Sequence, residues 1–269
     1  MLSTASSRLL AVVGDPVAHS ISPAIHNSAF AALAVDAVYV AMRVPAAELD
    51  TVAKSLRILA VAGNVTVPHK VAFARLVDRS SERASRLDAV NTFWVEDGAL
   101  VGDNTDVDGV LASTTDMAGP WLVLGTGGAA RAAAEAARLR DVPLRVRSRS
   151  AARARAFVEW ASSHGHPDVR ESVDGEEVGL LINATPCGLR PGDRPPTRPD
   201  DLDKASAVVD MTYARGGTAL VKAARKAGLP AVDGRVMLVA QAVASFERFF
   251  PGVAAPREIM MAAANRALD

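Results

Sequence analysis

Three short segments of the chain carry closely spaced polar side chains able to do chemistry. Asn64-Val65-Thr66-Val67-Pro68-His69-Lys70 alternates strictly. As a strand it places Asn64 and Thr66 on one face and Val65 and Val67 on the other. Polar groups on a buried strand need partners. Lys70, one of only five lysines among thirty basic residues, follows at once. A positioned ammonium stabilises a developing oxyanion and donates a proton to it; in isolation Lys70 equally fits an exposed lysine at a helix start. Gly102-Asp103-Asn104-Thr105-Asp106, with Ala89-Val90-Asn91-Thr92 ahead of it, supplies amides and carboxylates. Asp106 either joins such a site or caps a helix over 107–113, and spacing alone does not decide whether it pairs with Lys70. In Asp15-Pro16-Val17-Ala18-His19-Ser20-Ile21-Ser22-Pro23, Ser22 reads as a helix N-cap with Pro23 at N1. Alternatively, Ser20 and Ser22 donate to a small carboxylate with help from the helix dipole.

A fourth segment points to a nucleotide. Gly125-Thr126-Gly127-Gly128-Ala129-Ala130 follows the apolar run Trp121-Leu122-Val123-Leu124 and opens a helix, so Gly125, Gly127 and Ala130 fit G-x-G-x-x-G/A. The first glycine makes the turn and the second admits a pyrophosphate. The small third residue lets helix and strand pack closely, with helix N–H groups facing the phosphates. An NAD site puts a carboxylate about 20 residues on, at the next strand end. Here Arg147-Ser148-Arg149-Ser150 and Arg153 occupy that region. Guanidinium forks and hydroxyls suit a 2′-phosphate, which indicates NADP.

Composition narrows the class. The 269 residues suggest about two domains. Thirty Lys+Arg balance thirty Asp+Glu, so no net charge draws the chain to nucleic acid or an anionic membrane. No apolar run approaches the roughly 20 residues of a membrane span, and the first eight residues lack a signal-peptide stretch. The lone Cys187 cannot form an intrachain disulfide and reads as a packing residue. His19, His26 and His69 show no metal-ligand pattern, and His164-x-His166 reads as an exposed loop, so no metal is expected. A cytoplasmic α/β or α+β protein remains.

The elements that must position these residues follow from periodicity and turn signals. Strands are expected at 9–14, 36–43, 63–68, 121–125, 143–147, 178–183, 207–210 and 231–233, with a hairpin of 91–95 and 100–102 around Glu96-Asp97-Gly98. Helices are expected at 24–33, 46–55, 69–76, 81–87, 107–113, 128–140, 151–163, 216–227, 237–249 and 257–268, and 190–199 is a Pro-rich loop. Alternating strands and helices form two βαβ series, the second starting near residue 120.

Taken in order, Gly14-Asp15-Pro16…His19-Ser20-Ile21-Ser22-Pro23, Asn64–Lys70, Val90-Asn91-Thr92, Gly102–Asp106, Gly125–Ala129, Ile182-Asn183-Ala184-Thr185-Pro186 and Asp233-Gly234…Met237-Leu238-Val239-Ala240-Gln241-Ala242 resemble the shikimate dehydrogenase family. Ser148 stands where that family frequently has Asn, and Cys187-Gly188-Leu189 and Arg235-Val236 also differ from its commoner residues. The resemblance implies a mostly parallel α/β substrate domain over 1–106, with C-terminal helices 237–269 returning to it. A Rossmann-type NADP-binding domain would span 107–236, with the active site in the cleft between. It implies NADPH-dependent, reversible reduction of 3-dehydroshikimate to shikimate, in chorismate and aromatic amino-acid biosynthesis. Lys70 and Asp106 would be the catalytic pair. Ser20 and Ser22, assisted by Tyr213, would bind the substrate carboxylate, and Asn64, Thr66, Asn91, Asp106 and Gln241 its ring hydroxyls. Gly125, Thr126, Gly127, Gly128, Ala129, Ser148, Arg149, Ser150, Arg153, Thr185 and Gly234 would contact NADP. The partner is a small molecule, without nucleic acid or membrane, and the chain is a monomer or homodimer. The alternatives are a quinate/shikimate dehydrogenase with broader substrate or cofactor use, and a non-catalytic NADP or metabolite sensor on the same fold.

Overall fold

The computed structural model describes residues 4–188 and 192–268; Leu189 and the first residues of the expected 190–199 loop lie outside them. The chain divides into two compact units, Met1–Asp106 with Leu238–Ala267, and Val107–Met237 with the last two residues.

The first unit is built on β1 (Arg8–Gly14), α1 (Ser22–Ala32), β2 (Ala37–Arg43), α2 (Leu49–Ile58), β3 (Ala62–Val65), α3 (Lys70–Phe73), β4 (Arg79–Ser80), α4 (Glu82–Leu87), β5 (Thr92–Glu96) and β6 (Ala99–Asp103). Its sheet runs β2-β1-β3-β5-β6-β4. β1 is parallel to β2 and β3, whereas the β5–β6 hairpin is antiparallel within itself and to β3. The unbroken apolar run Leu10–Val13 is buried along its length, as a central parallel strand covered on both faces requires. Ala11, Val13, Val65, Phe73, Phe93 and Leu100 close the core on one side of the sheet.

Three expectations need correcting in this unit. The 63–68 strand stops at Val65. Beyond it the chain turns, with the Thr66 carbonyl accepting from the His69 N–H, so the alternation does not carry on to Pro68; the Val67-Pro68 bond is cis. The segment stays tied to the end of β1: the Thr66 N–H donates to the Val13 carbonyl and the Asp15 N–H to the Val67 carbonyl. Ile21, not Ser22, is the α1 N-cap, and Ser22 is the first helical residue. The 46–55 helix opens as a 3₁₀ turn, Ala46–Glu48, before α2 begins.

His26, on α1, is 1% exposed. Its ring stacks on Tyr39 with centroids 4.4 Å apart and planes 7° from parallel. Burial lowers its pKa to about 3. The unfolded chain takes up this proton below about pH 6.5 and the folded chain only near pH 3, so stability falls as pH drops through that window. Between pH 7 and pH 5, His26 should withdraw about 2 kcal/mol of stability. His26→Phe should remove that share of the acid sensitivity, measured by urea unfolding at the two pH values; an unchanged slope would refute the assignment.

The second unit contains the rest of α5 (Asp106–Ser113), then β7 (Trp121–Leu124), α6 (Gly128–Leu139), β8 (Leu144–Arg147), α7 (Ala151–Ser163), β9 (Val169–Glu171), β10 (Leu180–Asn183), β11 (Val208–Asp210), α8 (Ala219–Lys226), β12 (Ala231–Val232) and the first turn of α9 (Gly234–Phe249). The remainder of α9 and nearly all of α10 (Arg257–Leu268) belong to the first unit. The sheet is wholly parallel, in the order β12-β11-β10-β7-β8-β9. Counted from β7 this is 3-2-1-4-5-6, the doubly wound order whose switch point, here between β7 and β10, is a ligand crevice. Six alanines of α6, Ala130, Ala132–Ala134, Ala136 and Ala137, are buried, and with so little side-chain bulk the helix can pack closely on the sheet.

Here α8 starts at Ala219 under a Thr218 cap, because Gly216 and Gly217 take positive φ. The expected 178–183 strand begins at Leu180. His166, expected in solvent, is 5% exposed. The chain turns at Gly165, the His166 N–H returns to the Ala161 carbonyl, and burial lowers the ring pKa.

Candidate active site

The polar residues of the first unit converge on one buried carboxylate. Asp106, at the start of α5, is 1% exposed in its side chain. Its Oδ2 accepts from Lys70 Nζ at 2.6 Å and its Oδ1 from Asn91 Nδ2 at 2.8 Å. The Asp106 N–H donates to Asn104 Oδ1 at 3.0 Å, so Asn104 holds the helix entry while Asp106 faces Lys70 and Asn91. Lys70 is the first residue of α3, and its carbonyl accepts from the Val90 N–H. The lysine segment is thereby tied to the segment leading into β5. Asn91 Nδ2 also approaches Gln241 Oε1 at 3.2 Å, on α9.

A second tier of hydroxyls, not singled out in the sequence, orients these amides. Tyr39 OH donates to Asn64 Oδ1 at 2.8 Å, and burial holds its pKa well above the ordinary value. Asn64 Nδ2 lies 3.0 Å from Thr92 Oγ1 and 2.9 Å from Ser245 Oγ. Ser245 also lies within 3.0 Å of the Thr92 and Thr105 hydroxyls and donates to the Gln241 carbonyl. The one-turn spacing Gln241…Ser245 was the available signal, since residues i and i+4 share a helix face. Tyr39 had none beyond its β-forming character.

Ser20 and Ser22 stand at the start of α1, which carries no side-chain cap. Ser20 Oγ accepts from the Ser22 N–H at 3.3 Å, and Ser22 is buried. Tyr213 lies in the second unit, half-buried after β11. Thr185 is fixed by Asn183, whose Oδ1 accepts from the Thr185 N–H at 2.9 Å and hydroxyl at 2.7 Å, and the Gly234 N–H donates to the Thr212 carbonyl at 2.9 Å.

The loop between β7 and α6 has the makings of an anion cradle. Gly125 takes φ +112°, and a Cβ there would meet the Ala184 carbonyl oxygen at 3.0 Å; only glycine fits both demands. Around Gly127 a Cβ would meet nothing within 4 Å. Helix α6 has no side-chain cap, leaving its first N–H groups for a ligand; Gly128 and Ala129 open this turn and Thr126 precedes it. After β8 the arginines divide. Arg145 is paired with Asp168 and Glu176, and Arg147 with Asp201 at 2.8 and 2.5 Å. Arg149 and Arg153 are exposed, and no ion pair of theirs is seen among the described residues. Between them, Ser148 Oγ accepts from the Ser150 N–H and Ser150 caps α7.

A sheet in dinucleotide-binding order, in a chain that elsewhere holds a lysine against a buried carboxylate, defines the class as two-unit α/β oxidoreductases. Sequence comparison narrows it. The model of the shikimate dehydrogenase substrate binding domain matches residues 12–93, and that of the shikimate 5′-dehydrogenase C-terminal domain matches residues 234–264. The shikimate dehydrogenase (NADP(+)) of Rubrobacter xylanophilus is 41% identical over 261 residues, 91% of each chain. The crystal structure of shikimate 5-dehydrogenase from Thermus thermophilus in complex with NADP(H) and shikimate aligns with a TM-score of 0.85 at 33% identity, over 97% of this chain and 100% of that one. The 5-ketofructose reductase of Gluconobacter sp. strain CHM43 aligns with a TM-score of 0.84 at 27% identity, over 98% and 99%. The chain belongs to the shikimate dehydrogenase family.

Asp106→Asn keeps the shape and removes the charge that Lys70 faces. Losing a charge-assisted bond should cost about 1.5–3 kcal/mol, seen as a lower denaturation midpoint with an unchanged urea m-value. Native-like stability would mean that the pair contributes no net free energy to folding.

Proposed function

We propose that the protein catalyses the reversible, NADPH-dependent reduction of 3-dehydroshikimate to shikimate, a step of chorismate and aromatic amino-acid biosynthesis. The observation that carries this reading is the 2.6 Å contact of Lys70 Nζ with the buried Asp106, joined by Asn91 and Gln241. Relatives aligned over nearly the whole chain bear the matching names. In this reading the first unit binds substrate and the second binds the cofactor. The free thiol of Cys187 suits a cytoplasmic setting, and the working form is a monomer or homodimer.

NADPH, when bound, supplies the hydride. The chain's own residues handle the proton and the orientation. As the C3 carbonyl is reduced, its oxygen gains charge, and the Lys70 ammonium stabilises that charge and donates a proton to it. In reverse Lys70 takes the proton back. Asp106 orients the ammonium through Oδ2 while Asn91 occupies Oδ1, and the 16% exposure of the lysine side chain leaves it a path to solvent protons. Asn64 Oδ1 accepts one bond from Tyr39 and retains a lone pair for a substrate hydroxyl. Thr66, Asn91, Asp106 and Gln241 supply the other ring contacts. Ser20 and Ser22, at the uncapped start of α1, bind the carboxylate with Tyr213.

The residues present fit NADP. The open space at Gly127 and the free first turn of α6 suit a pyrophosphate. Arg149 and Arg153, with Ser148 and Ser150, offer charge-assisted bonds to a 2′-phosphate, while Gly125, Thr126, Gly128, Ala129, Thr185 and Gly234 line the remaining path.

A ketofructose reductase shares the architecture, so the fold does not choose the substrate. Absorbance at 340 nm with shikimate and quinate, each against NADP and NAD, tests the reading; no turnover of shikimate with NADP would reject it. Lys70→Ala should lower kcat by about 10²–10⁴-fold with a smaller change in KM. Retention of more than about a tenth of kcat would remove Lys70 from the chemistry. The double variant Arg149→Ala/Arg153→Ala should lose most of an NADP preference of about 10²–10⁴-fold and leave NAD turnover little changed. Full discrimination by that variant would exclude the phosphate clamp.

A further inference from the structure

The doubly wound sheet has two mononucleotide halves. With the pyrophosphate at α6 and the 2′-phosphate after β8, the adenosine half is β7–β9 and the nicotinamide half is β10–β12. Asp210, the last residue of β11, is a carboxylate 1% exposed in the nicotinamide half, and the chemistry above makes no use of it. Burial pushes its carboxyl up, offset only in part by Thr218, the Thr212 amide and hydroxyl, and Asn183. A carboxylate that folding makes harder to ionise detracts from stability, so its presence calls for another reason.

Its contacts supply one. Asp210 Oδ1 accepts from Asn183 Nδ2 at 2.8 Å, from the Thr212 N–H at 3.0 Å and from the Thr212 hydroxyl at 2.8 Å. The same Asn183 amide donates to the Cys187 carbonyl at 3.0 Å, and its oxygen holds both polar groups of Thr185. The Thr212 carbonyl accepts from the Gly234 N–H. Gly188, at φ +105°, lies over the carboxylate: a Cβ there would sit 3.1 Å from Thr212 Oγ1 and 3.9 Å from Asp210 Oδ2.

We propose that Asp210 is a positioning residue that ties together the loops after β10, β11 and β12, and so sets Thr185, Tyr213 and Gly234 for the nicotinamide and substrate end of the site. The roles of those three residues rest on the functional reading above. Asp210 touches neither ligand and acts through Asn183 and Thr212.

The test compares Asp210→Ala with Asp210→Asn, which keeps one acceptor oxygen, in the full-length protein. Asp210→Ala should lower kcat at least tenfold and leave the Kd of adenosine 2′,5′-bisphosphate, a probe of the adenosine half alone, within twofold of wild type. Amide hydrogen exchange should quicken at Thr185, Cys187, Thr212 and Gly234 and stay unchanged in β7–β9. Asp210→Asn should recover most of kcat. Normal turnover in Asp210→Ala, or parallel losses of bisphosphate affinity and β7–β9 protection, would overturn the proposal, the latter by reducing Asp210 to a general structural role. If Asp210→Ala does not fold, Gly188→Ala replaces it, with the same split expected and the same results against it. A wild-type enzyme inactive toward shikimate would defeat the functional reading instead, and the binding and exchange patterns would still judge the clamp.

Discussion

A carboxylate buried to 1% exposure must be compensated, and the first unit is organised around meeting that demand for Asp106. The compensation comes from an ammonium at the start of α3 and an amide just before β5. Each of these must be fixed in turn. The Lys70 carbonyl is anchored by the Val90 N–H, and the Asn91 carbonyl accepts from Val65 as β3 ends. The Asn91 side-chain oxygen accepts from the Thr105 N–H at 2.7 Å. The chain on either side of the pair is thus locked to it. Buried polar networks are worth having only when every member is satisfied, and the hydroxyls of Thr92, Thr105 and Ser245 close this one.

The second unit answers the opposite demand. It leaves donors unspent. Arg145 and Arg147 are consumed by Asp168, Glu176 and Asp201, which secures the strand end and fixes where the chain emerges. Past that point Arg149 and Arg153 stand exposed beside two small hydroxyl residues. At the neighbouring strand α6 begins without a side-chain cap. Such an arrangement costs a little helix stability and yields a row of N–H groups with positive potential. Exposed guanidinium groups and an uncapped helix start both suit a phosphate-bearing ligand.

Legibility in the sequence tracked how local the physics is. The glycine loop, the α6 helix and the Asp97-Gly98 hairpin turn rest on neighbouring residues, and each lies where the sequence placed it. The short strands β4 and β9 pair at sheet edges over two and three residues, too short to show a period. The end of β3 was lost because the Asn64–Pro68 alternation continues past the point where the backbone turns. His166 looked exposed beside Gly165, and only its packing reveals the burial. For the candidate site, residue types were legible in the residues themselves, whereas the Lys70–Asp106 pairing came only through the family resemblance. Lys70 and Asp106 lie 36 residues apart, and Asn64 and Ser245 lie 181 apart; no local pattern encodes contacts made by a returning helix.

The same distinction explains why architecture and substrate can part company on this fold. A ketofructose reductase and a shikimate dehydrogenase both align with this chain at TM-scores near 0.85, so the overall fold is common ground. What the fold shares is backbone. What distinguishes a ring polyol carboxylate from another carbonyl compound is the donor and acceptor inventory at the ends of its strands. Here that inventory is fixed by second-tier contacts such as Tyr39 to Asn64 and Ser245 to the Gln241 carbonyl. A site that hydrogen-bonds a substrate hydroxyl rejects an analogue lacking it, because its buried polar groups are then left unpaired. Under the roles proposed for Asn64, Asn91 and Gln241, selectivity would therefore reside as much in the residues that hold them still as in those three amides themselves.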